Sequence, residues 1–193
     1  MLRSAVVALA ASLAVAACHS GGAPFRWSVP QGWKAETIPF PLDFAPDVPH
    51  RGVEEVRFEP GFFDPSAEAY FTYSFAWVLD ETRAPAPSEL AAELKRYFLG
   101  LARAVGQDKS LAVPESAFDA KVEADAEAPA HYHGVVHSLD PFNAGRPVVL
   151  TLDAVTLACG QKAVLLVSLS PHATTDATYQ GLLAQRATFT CSD

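Results

Sequence analysis

Cysteine is scarce in this chain: three residues among 193, at positions 18, 159 and 191. No two stand in a C-x-x-C spacing, which removes thioredoxin-type redox pairs and cysteine-rich zinc modules. The short catalytic signatures are missing as well. The sequence contains no G-x-S-x-G nucleophile elbow, phosphate loop, G-x-G-x-x-G, H-E-x-x-H or S-x-x-K, so several large enzyme classes lose their usual sequence support. Ala5 to Ala17 is too short for a membrane-spanning helix, which needs about 20 apolar residues. Basic residues are in the minority, 14 against 22 acidic, and no basic stripe with interleaved aromatics occurs, so nucleic acid is not an expected partner. An acidic surface also disfavours electrostatic adhesion to anionic lipid. Internal repeats are not evident.

The start of the chain is a targeting segment. Arg3 supplies a positive n-region and Ala5 to Ala17 an apolar h-region, so residues 1–17 read as a signal peptide. The run closes on Val15-Ala16-Ala17-Cys18, which resembles the bacterial lipobox. That resemblance implies cleavage before Cys18, lipidation of Cys18 and a membrane attachment through the acyl chains. The bland alternative is an ordinary signal peptide cleaved after Ala17, with Cys18 incidental. Two or more acyl chains give stable anchoring. His19 follows the cysteine in place of Asp, which by the same resemblance favours the outer membrane. Residues 18–24 form a short tether, reaching about 20 Å at roughly 3.5 Å per residue. Without Arg3 the mature part has 13 basic and 22 acidic residues, a net charge of −9. Residues 25–193 are expected to be one domain, long enough to bury a proper core. Cys159 and Cys191, outside the cytoplasm, read as a disulfide.

Tyr70 to Leu79, YFTYSFAWVL, organises the body of the chain. Phe71, Tyr73, Phe75, Trp77 and Leu79 share one parity and small residues the other, the alternation of a central strand. Leu90, Leu94, Tyr97, Phe98, Leu101 and Val105 recur at helical spacing, with Ser88 as the expected N-cap and Gly106 at C′. This helix is expected to cover the aromatic face. Further strands are expected at Phe25 to Trp33 (short, ending in a Pro30-Gln31-Gly32 turn), Val53 to Glu59 (half-exposed), Phe118 to Ala124, His131 to Leu139, Pro147 to Ala158, Ala163 to Ser170 and Ala187 to Cys191. Thr174 or Thr175 is expected to cap a last helix over Asp176 to Arg186. The fold class is α+β: a largely antiparallel sheet, one long helix and a short C-terminal helix. The order of elements, with Pro30-Gln31-Gly32-Trp33 and the final helix and strand, resembles the α/β/α sandwich of extrinsic photosystem II proteins. Trp27 to Trp77 also resembles a segment of uncharacterised bacterial secreted proteins. Neither resemblance implies catalytic residues here.

Two stretches carry functional expectations. Pro39, Pro41, Pro46 and Pro49 punctuate a loop with Phe40, Phe44 and His50, extended or turn-rich by its prolines. It reads either as a loop wrapping one edge of the core or as a semi-rigid recognition loop for an envelope protein or a small ligand. His131 and His133 share one face of a strand, a pairing that suits zinc or copper if a third ligand joins them. The alternative is solvated histidines, with His137 too far along the strand. Glu54 and Glu55 fall on opposite faces and make a poor catalytic dyad. The leading expectation is a lipid-anchored, non-enzymatic binding module of the cell envelope; the others are a metal protein built on His131 and His133, and a purely structural role.

Overall fold

In the computed structural model, residues 25–192 are described. A seven-stranded antiparallel sheet forms the middle layer: β2 (Lys34–Pro39), β3 (Gly52–Phe58), β4 (Tyr73–Leu79), β5 (Asp119–Ala124), β6 (His131–Asp140), β7 (Arg146–Cys159) and β8 (Lys162–Ser170). Their spatial order is β2-β3-β4-β8-β7-β6-β5. The long helix α1 (Pro87–Gly106) carries the chain from β4 at mid-sheet to the far edge, and β5 to β8 then return as a meander. The opposite face is covered by α2 (Ala177–Arg186) and by a ribbon of β1 (Phe25–Arg26) with β9 (Thr190–Cys191). The α+β class, the antiparallel sheet and both helices are as expected from sequence.

β4 is buried at every position. Tyr73, Phe75 and Trp77 face α1, where Tyr97 stacks on Phe75 with ring centroids 5.7 Å apart and Leu90 and Leu94 are fully buried. Fully burying such a side chain is worth about 1.5–3 kcal/mol, so this seam is the main apolar store of the fold. Small residues on the other face let strands and α2 close up. Ser74 and Ser168 hydroxyls lie 2.9 Å apart across β4 and β8, and the Tyr179 hydroxyl of α2 donates to the Ser168 carbonyl at 3.0 Å. The second apolar cluster, with Trp27, Ala76, Val78, Val164, Leu166 and Phe189, lies on this side.

Several boundaries differ from the sequence reading. β4 begins at Tyr73, because Phe71 takes a left-handed φ of 55° and turns the chain beforehand. β1 already ends at Arg26, while the expected Pro-Gln-Gly turn is present, closed by the Trp33 N–H on the Pro30 carbonyl with Gly32 at φ 85°, and leads into β2. β2 is an edge strand that the proline count conceals. Its proline closes the strand, at an edge where a missing N–H is tolerated. β3 is interior rather than half-exposed: β2 pairs along its edge, and on its outer parity Arg57 is buried against the Trp27 ring, 4.6 Å from its centroid. α1 is capped from Ala86, not Ser88: Pro87 occupies the first turn and the Glu89 carboxylate accepts the Ala86 N–H at 2.7 Å. Gly106 is the last helical residue, and Ser110, at φ 53°, takes the left-handed position after a short 3-10 turn. Asp176, not Thr174 or Thr175, caps α2 by accepting the Thr178 N–H at 2.8 Å. A disulfide joins Cys159 at the end of β7 to Cys191 in β9.

Candidate functional site

The expected signal peptide, the expected lipidation at Cys18 and the expected tether fall on residues outside those described. Among the described residues no helix is long and apolar enough to cross a membrane.

The proline-rich loop splits into an inner and an outer part. Phe40 and His50 are buried rather than presented to a partner, and Leu42, Ala45 and Val48 are buried with them. Consecutive turns (Ala45 N–H to Leu42 C=O, 3.0 Å; Val48 N–H to Ala45 C=O, 3.1 Å) fold the segment onto α1. Gly100 makes that docking feasible, because a Cβ there would overlap the Phe44 carbonyl oxygen. Phe40 meets Trp77 edge-on at 5.7 Å, and Phe44 meets Tyr97 edge-on at 5.0 Å. Wrapping of the core thus accounts for Phe40 and His50. Phe44 is half-buried and Pro46 exposed, and these two line an open cleft of about 610 Å³ with Arg96 and Arg103 of α1.

His50 is the polar rivet of this loop. Its Nδ1 lies 3.0 Å from Glu81 and its Nε2 3.1 Å from Glu93. Burial works against the imidazolium, yet Glu93 and then Glu81 outweigh it, so the ring holds its proton above the ordinary histidine range. The loop is thereby tied to α1 and to the chain after β4.

The histidine strand is differently arranged. His131 and His133 do sit on β6 as expected, half-buried and exposed. The Nε2 of His131 is engaged by Asp153 at 2.7 Å, and Asp153 is held in turn by Arg186 at 2.6 Å. His133 faces Glu123 at 3.8 Å on the exposed side of β5. Among the described residues no three His, Cys, Asp or Glu side chains come together in a set able to hold a metal ion.

The feature that the sequence reading passed over is an apolar cleft between β2, β3, β4 and α1. Its volume is about 300 Å³, and Phe44, Phe58, Phe62, Tyr73, Tyr97 and Leu101 belong to its wall. Phe44 borders both clefts. Next to it lies Glu54, fully buried, whose Oε1 accepts the Trp77 indole N–H at 3.1 Å. Glu54 and the Tyr73 hydroxyl both lie within side-chain hydrogen-bonding reach of the Tyr97 hydroxyl, although by strict geometry Glu54 Oε2 and the Tyr73 hydroxyl are unpaired among the described residues. Burial raises the Glu54 carboxyl to about 7, against the smaller opposing effects of its Trp77 and Tyr97 bonds. Burial, with the Glu54 charge second, pushes the Tyr73 and Tyr97 hydroxyls upward. A signal for Glu54 was present in the sequence: it shares the parity of Val56 and Phe58, and that parity is the inward one. Its partners across the sheet are Ile38 and Trp77.

No protein-family model matches this chain, and no curated protein does. A solved structure similar to it is the Ran-binding protein Mog1p of Saccharomyces cerevisiae. The two are 14% identical with a TM-score of 0.38, over 88% of this chain and 91% of that one.

Proposed function

We propose that this protein is a lipid-anchored component of the bacterial cell envelope, attached through Cys18 at the outer membrane. Its domain works as a non-enzymatic binding module that receives an apolar ligand in the cleft between α1 and β2 to β4. The observation that carries the binding reading is the cleft itself. It is concave, walled mostly by aromatic and aliphatic side chains, and has a few polar groups beside it, which is the usual make-up of a small-molecule site. Phe44, already singled out in the sequence, forms part of that wall. The metal reading has less in its favour, because His131 is engaged by Asp153, which Arg186 holds from its other side.

The test uses the chain from residue 18 carrying Cys18→Ser, titrated with phenylnaphthylamine, a dye that brightens in apolar sites. Saturable brightening is expected, and it should be lost in Leu101→Trp, which fills the cleft. A dye response unchanged in Leu101→Trp would reject the cleft. Labelled palmitate should enter the wild-type chain in cells but not the Cys18→Ser variant; equal labelling would reject the anchor.

A further inference from the structure

We infer that His50 is a proton-operated latch on the loop of residues 40–50. With both ring nitrogens protonated it ties the loop to α1 and to the chain after β4; loss of one proton undoes one tie and loosens the loop beside both clefts. The latch stands on the loop alone, and only its effect on a bound ligand rests on the binding reading above.

The geometry asks for two donors. Nδ1 faces Glu81 at 3.0 Å and Nε2 faces Glu93 at 3.1 Å, so two carboxylates on different elements share one ring. A neutral imidazole has a single N–H and a lone pair on its other nitrogen, so it can satisfy one carboxylate and repels the other. The two are not equivalent. Glu93 is buried like His50, whereas Glu81 is half-exposed. A neutral ring therefore keeps its N–H on Glu93, and Glu81 turns to water. Glu93 is then left buried with an uncharged partner, although a hydrogen bond between ions is roughly twice as strong as a neutral one.

The surroundings offer no replacement cation. Among the described residues, Arg83, ahead of α1, forks onto Glu89 of α1 at 2.6 and 3.0 Å. Asp80, beside Glu81, is paired with Lys162 of β8. Arg51, next to His50 in the chain, is exposed, and Glu54 of β3 is held by the Trp77 indole. The rest of the ring packs on Phe40 and Trp77, with ring centroids 5.8 and 5.4 Å away, and both of these are buried.

The sign follows from the two states of the loop. In the closed loop burial works against the imidazolium, but Glu93 and Glu81 outweigh it and the ring keeps its proton above 6.5. In an open loop the ring is in water and releases its proton near that ordinary value. Closure is thus fully supported below 6.5 and loses this support as pH rises through the raised value. What the latch holds is a wall: Phe44 borders both clefts and Pro46 the larger one. Leu42, Ala45 and Val48 stay as buried anchors, so deprotonation makes opening more frequent without detaching the loop.

The experiment uses the chain from residue 18 with Cys18→Ser and follows, by NMR, the His50 ring titration and the hydrogen exchange of the Ala45, Val48 and His50 amides, all bonded within the loop. After correction for hydroxide catalysis, their protection should fall about tenfold across the ring titration, the factor expected when one charge-assisted bond is lost. They should also be less protected than the β8 amides throughout, as a loop that opens by itself requires. Glu81→Gln, at a half-exposed position, should lower the ring midpoint and shrink the change; the double variant His50→Leu, Glu93→Leu should abolish it. Unchanged protection across the ring titration would overturn the latch. So would loop amides that exchange only together with those of β8, or a change of full size in Glu81→Gln. The uncharged dye separates the two readings: silence at every pH, beside the expected change in protection, would reject the cleft and leave the latch.

Discussion

The Trp77 indole N–H donates to Glu54 Oε1 at 3.1 Å across the β3–β4 pair, and with the nearby Tyr97 hydroxyl it makes up the polar company of a wholly buried carboxyl. A carboxyl in that setting is held closer to neutrality than an exposed one, because burial penalises its charged form. The consequence is measurable without any ligand.

Stability should fall as pH rises from about 4.5 to about 7. The Glu54 carboxyl moves from an ordinary 4.5 to about 7 in the fold. Over that window the native state keeps a proton that the unfolded chain has released, so unfolding is favoured progressively with pH. The full loss is on the order of 3 kcal/mol. His50 acts in the same sense: its contribution is whole below 6.5 and is lost as pH climbs through its raised folded value. Melting temperatures at pH 5 and pH 8 should differ in wild type, and Glu54→Gln should raise the pH 8 value and flatten the slope. An unaltered slope would reject the buried, protonated Glu54.

His50→Leu should destabilise by about 3 kcal/mol or more. The substitution fills much of the ring's space but strands Glu93, which is buried like His50 itself, without its cation. Urea unfolding measures the loss. If the cost is carried by Glu93, the double variant His50→Leu, Glu93→Leu recovers part of it.

Gly100→Ala should cost about 1–3 kcal/mol, the range for forcing extra atoms into a packed contact. The methyl group would displace the Phe44 carbonyl, and Phe44 walls the apolar cleft. Dye binding should therefore weaken in parallel with the melting temperature. Loss of stability with unchanged dye binding would separate the loop from the site.

Serine at both Cys159 and Cys191 should lower stability by about 3–4 kcal/mol in the chain-entropy model, for a bridge spanning a separation of 32 residues. Chemical unfolding of the reduced wild type should match that of the double variant.

Zinc or copper at micromolar concentration should leave the melting temperature unchanged. His131 is committed to Asp153, His133 meets Glu123 at 3.8 Å, and among the described residues no three such side chains converge on a metal position. A rise that disappears in the His131→Ala, His133→Ala variant would restore the metal reading.

Local pattern settled a good deal of this protein. The aromatic parity of β4, the apolar stripe of α1 and the two-residue turn between β7 and β8 are properties of near neighbours along the chain, so periodicity and turn chemistry reveal them. The disulfide was legible because two cysteines remain after Cys18. Other features depend on which element covers which face. The prolines of the loop at Phe40 to His50 announced an irregular backbone, but only α1, with Gly100 cleared for the Phe44 carbonyl, decided that Phe40 and His50 turn inward. His131 looked free until β7 and α2 brought Asp153 and Arg186 beside it. Glu54 read as one of two strand carboxylates, and its parity hinted at the core. Its isolation came from β2 on one side and Trp77 on the other, contacts that lie 16 and 23 residues away in sequence. A side chain's periodicity is written in its neighbours, whereas its solvation is set by distant segments folded against it.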